Sequence, residues 1–145
     1  SIRVSSSGLS FDSGSNYLDD YEEGTFTPTI IRSSVNPSYT ASTAQGHYTK
    51  IGNVVHLQIM IVVNSVSSSG SGNMRISGLP FGAGTAPTYS HVLNVGYNDT
   101  FDSSIKDCYV SGSELQMIPT GITQSNYGGV LSTGYLGICG TYLTT

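Results

Sequence analysis

Apolar and polar residues alternate along most of this chain, and nowhere do apolar ones recur at helical spacing. No window of about eleven residues places them at i, i+3, i+4 and i+7. The one helix candidate, Asn16 to Glu23 (NYLDDYEE), stops at Gly24. The strongest strand signal is GHYTKIGNVVHLQIMIVVNS, two runs flanking Gly52-Asn53, a two-residue hairpin turn of the primed type. That turn sets Ile51 opposite Val54, Thr49 opposite His56 and Tyr48 opposite Leu57. Side chains alternate across a sheet, so Val55, Leu57, Ile59, Ile61 and Val63 form one apolar face, expected in the core. Val54, His56, Gln58, Met60 and Val62 form the other, half polar and half apolar. A second layer or a partner chain over Met60 and Val62 accounts for that mixture.

Further strands are expected at Met74 to Ser77, at Thr88 to Tyr97 with His91, Leu93, Val95 and Tyr97 on one face, and at Tyr135 to Leu143. A second hairpin should bend at Ser111, Gly112 and Ser113 (DCYVSGSELQMI). Between them, Asn64 to Asn73 (NSVSSSGSGN) has the composition of a flexible surface connection. The first sixteen residues alternate weakly in a Ser/Gly background and are expected to be a connector from an upstream shaft. Residues 17–145 are expected to be a single antiparallel β-sandwich of jelly-roll type.

Composition narrows the functional classes. Only 10% of the 145 residues are charged and the net charge is -4. Nucleic-acid binding needs a basic patch, and the five Lys/Arg residues are scattered, so no nucleic-acid partner is expected. No apolar run approaches the roughly 18 residues that span a bilayer, so no membrane insertion is expected. Cys108 and Cys139 have no zinc-ligand spacing and are expected to be buried free thiols.

Four of the nine carboxylates fall within Asp19 to Glu23. They lack the spacing of an EF-hand and, adjacent in one turn, do not form the separated pair of a glycosidase. A solvated turn leading from connector to head, anchored by Tyr17, Leu18 and Tyr21, is the simpler account. His47 and His56 fall on one hairpin face, but nothing in the sequence brings His91 to them, so no metal site is expected. No G-x-S-x-G elbow or Walker A ending occurs. No catalytic residue and no cofactor is assigned.

Read in order, LDDYEEGTFTPTI, GHYTKIGNVVHL, ISGLPF and a closing GTY resemble the C-terminal β module of bacteriophage tail-fibre and tailspike proteins. The resemblance is specific from Leu18 to Pro80 and rests beyond that on the last strand. Phe26 stands where that family often has Trp. The resemblance implies a homotrimeric, mainly β head on an elongated fibre, located in the virion at the tail tip. It implies attachment to a host cell-surface polysaccharide or lipopolysaccharide.

Val54, His56, Met60 and Val62 are then the expected trimer interface. Glycan contacts are expected in loops that combine rings with polar groups: Tyr97, Asn98, Asp99, Phe101 and Asp102; Asn126 and Tyr127; and Tyr39. The expected role is non-enzymatic. The alternatives are a purely structural trimerisation or folding cap without ligand, and a polysaccharide-degrading module.

Overall fold

The computed structural model describes residues 3–5, 8–10, 17–18, 20–84, 91–101, 105–119 and 129–145. Strands β1 (Arg3–Ser5), β2 (Gly8–Ser10) and β3 (Tyr17–Leu18) form a small antiparallel sheet, with Leu9 opposite Leu18. The expected boundary at Asn16 lies outside the described residues. The other nine strands are β4 (Tyr21–Phe26), β5 (Thr29–Arg32), β6 (Ser38–Ile51), β7 (Val54–Ser68), β8 (Met74–Ser77), β9 (Val92–Asn98), β10 (Ile105–Ser111), β11 (Glu114–Pro119) and β12 (Gly134–Leu143). They make one antiparallel sheet in the order β4-β6-β7-β12-β9-β10-β11-β8-β5. No helix occurs among the described residues.

The all-β, antiparallel class is as the sequence predicts. The two-layer jelly-roll sandwich is replaced by a single curled sheet. The reason is the link Thr27-Pro28: it joins β4, at one edge of the nine strands, to β5, at the other. Two residues span only about 7 Å, so the sheet must roll until its edges approach. Among the described residues no backbone ladder joins β4 to β5. The Tyr39 hydroxyl of β6 instead accepts the Ile30 N–H of β5 at 2.9 Å.

The β6–β7 hairpin forms in the predicted register, with Ile51 opposite Val54, Thr49 opposite His56 and Tyr48 opposite Leu57. Gly52 takes φ 58°, the left-handed conformation that a primed turn requires. Val55, Leu57, Ile59, Ile61 and Val63 are buried and form the concave core with Ile30, Met74, Ile76, Leu93, Leu115, Leu136 and Ile138. β12 lies between β7 and β9 in the middle of the sheet.

The two most distinctive sequence motifs turn out to be partners. β4 pairs with β6 from Gly46 to Ile51, placing Gly24 opposite Tyr48 and Phe26 opposite Gly46. A Cβ on Gly46 would meet the Phe26 ring at 2.3 Å, and one on Gly24 would meet the Tyr48 hydroxyl oxygen at 2.8 Å. Each ring therefore covers a glycine on the facing strand, an arrangement that shields backbone left bare by the missing side chain.

Two buried acids tie stability to alkaline pH. Burial pushes the Cys108 thiol up to about 12 from an ordinary 9.0, with the charges of Asp107 and Cys139 adding. Burial also pushes Tyr142 up to about 12 from 10.0. Both groups are neutral in the fold and ionise more readily when unfolded. Their contribution is complete below the unfolded values and is lost as pH rises towards about 12. The thermal midpoint should fall steadily across that window, and less steeply in the Cys108→Ala/Tyr142→Phe double variant. Parallel slopes for the two proteins would refute the assignment.

Candidate functional site

The convex face of the central strands has a composition unusual for exposed sheet. On β7 it presents Val54, His56, Gln58, Met60 and Val62; on β6, Gln45, His47, Thr49 and Ile51; on β12, Tyr135, Gly137, Cys139, Thr141 and Leu143. None of these is Asp, Glu, Lys or Arg. The residues sort into bands across the strands. Near the hairpin turn lie Ile51, Val54 and Leu143, all exposed. A polar belt follows, in which His56 Nδ1 sits 3.2 Å from Thr141 Oγ1, with Gln58 opposite both His47 and Cys139. Beyond it lies a second apolar band of Met60, Val62, Tyr135 and Tyr97. There Tyr97 and Tyr135 meet edge to face with centroids 5.9 Å apart.

Tyr97 reaches this face because of a bulge. Gly137 pairs with Tyr97 but the next residue, Ile138, pairs with Val95, so Gly96 is an extra residue in β9. The alternation reverses there. His91, Leu93 and Val95 share one face as predicted, and it is the core face, while Tyr97 turns outward and is 53% exposed. The bulge moves Tyr97 away from the expected glycan loop and onto the patch with Met60 and Val62. One surface thus collects a residue expected to touch glycan and residues expected to touch a partner chain.

The other predicted contacts are distributed differently. Phe101 is buried in the core and its ring is not available for stacking. Asn98 shapes the turn: its Oδ1 accepts the Phe101 N–H at 3.1 Å and its Nδ2 donates to the Ile105 carbonyl at 3.3 Å. Asp99 is exposed, and its carboxylate raises the Tyr97 phenol above the ordinary value. Tyr39 is half-buried and uses its hydroxyl on β5. Asp102, Asn126 and Tyr127 lie outside the described residues.

The acidic stretch is engaged with the hairpin rather than simply solvated. Asp20 forms an ion pair with Lys50, which is buried. The Tyr48 hydroxyl donates to Glu22 Oε1 at 2.6 Å, a bond that raises the phenol's pKa. Tyr21 donates likewise to Glu23 Oε2 at 2.6 Å, and is exposed instead of anchoring the turn. Phe81 caps the cluster, edge to face with Tyr48 at 5.3 Å and 5.6 Å from Lys50 Nζ. Asp20 and Glu22 thus fasten the acidic stretch to β6, while Glu23 is bonded within β4. Asp19 lies outside the described residues.

The histidines divide between the faces. His47 and His56 lie on the convex side, while His91 is 6% exposed on the core side and its Nδ1 accepts the Leu143 N–H at 3.3 Å. Among the described residues no three His, Cys, Asp or Glu side chains converge. The cysteines divide in the same way. Cys108 stands opposite Leu93 in the core, whereas Cys139 stands opposite Asn94 on the convex face. Cys139 is therefore exposed, against expectation, and the two thiols are free.

Sequence reasoning did not assign Tyr135, Gly137 or Leu143 to the patch. Their signal is the alternation within GYLGICGTYL, which acquires meaning only once β12 is seen to pair with β7.

Over 110 residues the chain is 30% identical to a capsule depolymerase, KN4-specific, of Klebsiella phage K64-1. The match takes in 75% of this chain and 12% of that protein, so the chain spans about an eighth of the relative it matches. No family model and no solved structure matches. The similarity fits a phage tail-associated protein, in keeping with the motifs. It also corrects the expectation of a non-enzymatic role, because the matched protein is an enzyme.

Proposed function

We propose that this chain is the trimerising, polysaccharide-holding head of a phage tailspike that depolymerises capsule. Residues 1–16 join it to the preceding shaft and residues 17–145 form the head. The head attaches the virion to a host capsular polysaccharide or lipopolysaccharide, and the whole spike cleaves the chain it holds. Three heads on one axis give avidity, so each site can be weak.

The observation that carries this reading is the charge-free stretch of the convex face on β6, β7 and β12. Contacts between chains are depleted of charge at their centre and enriched in Tyr and Met. Large continuous apolar patches are uncommon on monomers. Val54, Met60, Val62, Tyr97, Tyr135 and Leu143 supply the apolar part, and His56 lies between the two bands. Tyr97 is therefore assigned to the contact between copies and not to glycan. The similarity to a capsule depolymerase supports the ligand class.

The purified chain should elute and scatter light as a species three times the 15.2 kDa protomer. Met60→Asp would put a charge in the middle of the apolar band, and should shift the protein to monomer at micromolar concentration without loss of its β signature by circular dichroism. A wild-type protein that stays monomeric at those concentrations would defeat the proposal. On the same samples, capsular polysaccharide should be retained more strongly by the wild type than by the monomeric variant.

A further inference from the structure

The rolled sheet leaves part of one strand unused. β4 pairs with β6 only from Gly46 to Ile51. On that side Ser38 to Gln45 has no strand partner among the described residues. At Phe26 the chain leaves β6 and crosses Thr27-Pro28 to β5. Where β4 and β6 part lies a cleft of about 490 Å³, lined by Thr25, Phe26, Thr27, Ser42, Thr43 and Gln45. That volume lies within the range of about 300–1,000 Å³ typical of small-ligand clefts.

Three features of the lining point to one kind of occupant. Its side-chain polar groups are four hydroxyls and one amide, with no ionisable group. Such a set can donate to and accept from neutral hydroxyls but offers no counter-charge to an ion. Phe26 supplies an apolar wall, its half-buried ring seated over Gly46 and packed against the core. A pyranose presents this same combination: hydroxyls around its rim and C–H groups on its face.

The third feature is a bulge. Ala41 pairs with Val63 and Thr43 with Val62, so Ser42 is an extra residue in β6. Bulges re-aim side chains and interrupt the regular spacing of N–H and C=O groups. A pairing peptide strand needs that spacing. The bulge thus argues against strand addition at this edge and for a ligand that takes hydrogen bonds in irregular directions.

We propose that the cleft between Thr25–Thr27 and Ser42–Gln45 is a saccharide subsite, taking an uncharged segment of about one to three sugar units of a host-surface polysaccharide. The site rests on the reading of the module as polysaccharide-holding, and gives that reading a location distinct from every loop the sequence singled out. Gln45 and Thr43 stand opposite Met60 and Val62, so the cleft borders the apolar patch without being part of its apolar band.

The test uses the whole chain on an array of purified bacterial capsular polysaccharides and lipopolysaccharides. It is followed by interferometry with whichever polysaccharide binds. Two variants are compared with the wild type. Ser42→Trp fills the cleft from an exposed position, and Thr43→Val keeps the shape while removing a hydroxyl. Ser42→Trp should weaken binding at least tenfold and Thr43→Val about three- to tenfold, with light-scattering mass unchanged in both. Should Ser42→Trp fail to fold, Thr43→Val decides alone. Wild-type affinity in the folded variants would overturn the subsite and leave this edge to a pairing strand, while the module's hold on polysaccharide stood. A wild-type chain that binds nothing on the array would overturn the polysaccharide-holding reading and the subsite together.

Discussion

Arg32→Ala is expected to lower the unfolding free energy by about 2–4 kcal/mol and to open the Ser/Gly segment between β7 and β8. Arg32 ends β5 and spreads its guanidinium over four backbone carbonyls. Nε donates to Gly72 O at 3.0 Å, Nη1 to Ser69 O at 2.7 Å and Gly70 O at 3.4 Å, and Nη2 to Gly129 O at 2.9 Å. These acceptors come from two loops far apart in sequence, so one side chain holds the β7–β8 connection against the segment preceding β12. A bond to a charged donor contributes about 1.5–3 kcal/mol net, and each carbonyl left dry costs about 1–3 kcal/mol. Partial exposure lets water take up some of the loss, which sets the total near that of one or two such bonds. Lysine offers one point charge instead of a planar fork. Arg32→Lys should therefore recover less than half. Chemical denaturation gives the free energies. Amide exchange should quicken at residues 69–73 far more than in the β6–β7 hairpin; equal quickening in both would show that Arg32 acts on the whole sheet and not as a local clamp.

That segment also shows where the sequence is silent. Asn64 to Asn73 has the composition of a flexible linker, but Asn64 to Ser68 continues β7 as strand, and the remainder is ordered by Arg32 and by the Val35–Ser71 bridge. Serine and glycine describe what the segment does alone; the donor that fixes it stands 37 residues or more earlier in the chain. The acidic stretch follows the same logic. Asp20 and Glu22 look solvated until the β4–β6 pairing brings Lys50 and Tyr48 within reach of them. By contrast, the β6–β7 hairpin was legible down to its register. A two-residue turn fixes pairing locally, and a one-residue slip would turn Val55, Leu57 and Ile59 out to water. Tyr97 falls between these cases: its strand follows from alternation, but its face depends on the Gly96 bulge, which only the β12 pairing reveals.

The convex face was partly legible for a related reason. The mixed flank of β7 is visible in one strand, and Val54, His56, Met60 and Val62 all lie on that face. Their neighbours Tyr135 and Leu143 lie over 70 residues away and join them through the sheet order alone. The cleft had no signal, because Thr25, Ser42 and Gln45 are ordinary strand residues. What brings them to one cleft is that β4 stops pairing at Gly46 while β6 runs on. A sheet rolled by a two-residue link separates its edge strands from their neighbours at the seam, and there side chains and free backbone become available together.

Gly70→Ala is expected to cost about 2–5 kcal/mol, far more than the same change at Gly52. Both glycines hold positive φ, 65° and 58°, where any other L-residue is strained by roughly 1–2 kcal/mol. They differ in their surroundings. A Cβ on Gly52 meets nothing within 4 Å, whereas one on Gly70 would lie 2.2 Å from the Val35 carbonyl oxygen and 2.8 Å from the Asn36 carbonyl carbon. Those are backbone atoms, held by the paired bonds Val35 N–H to Ser71 O at 3.0 Å and Ser71 N–H to Val35 O at 2.9 Å. The obstruction cannot swing aside as a side chain would, and overpacking of that kind costs about 1–3 kcal/mol more. The difference between the two variants in denaturant melts isolates the close approach from the backbone conformation they share. Equal losses would mean that the loop yields without breaking the bridge. Because Arg32 and Gly70 hold one segment, combining Arg32→Ala with Gly70→Ala should cost less than the two losses added, since contacts already released cannot be lost twice.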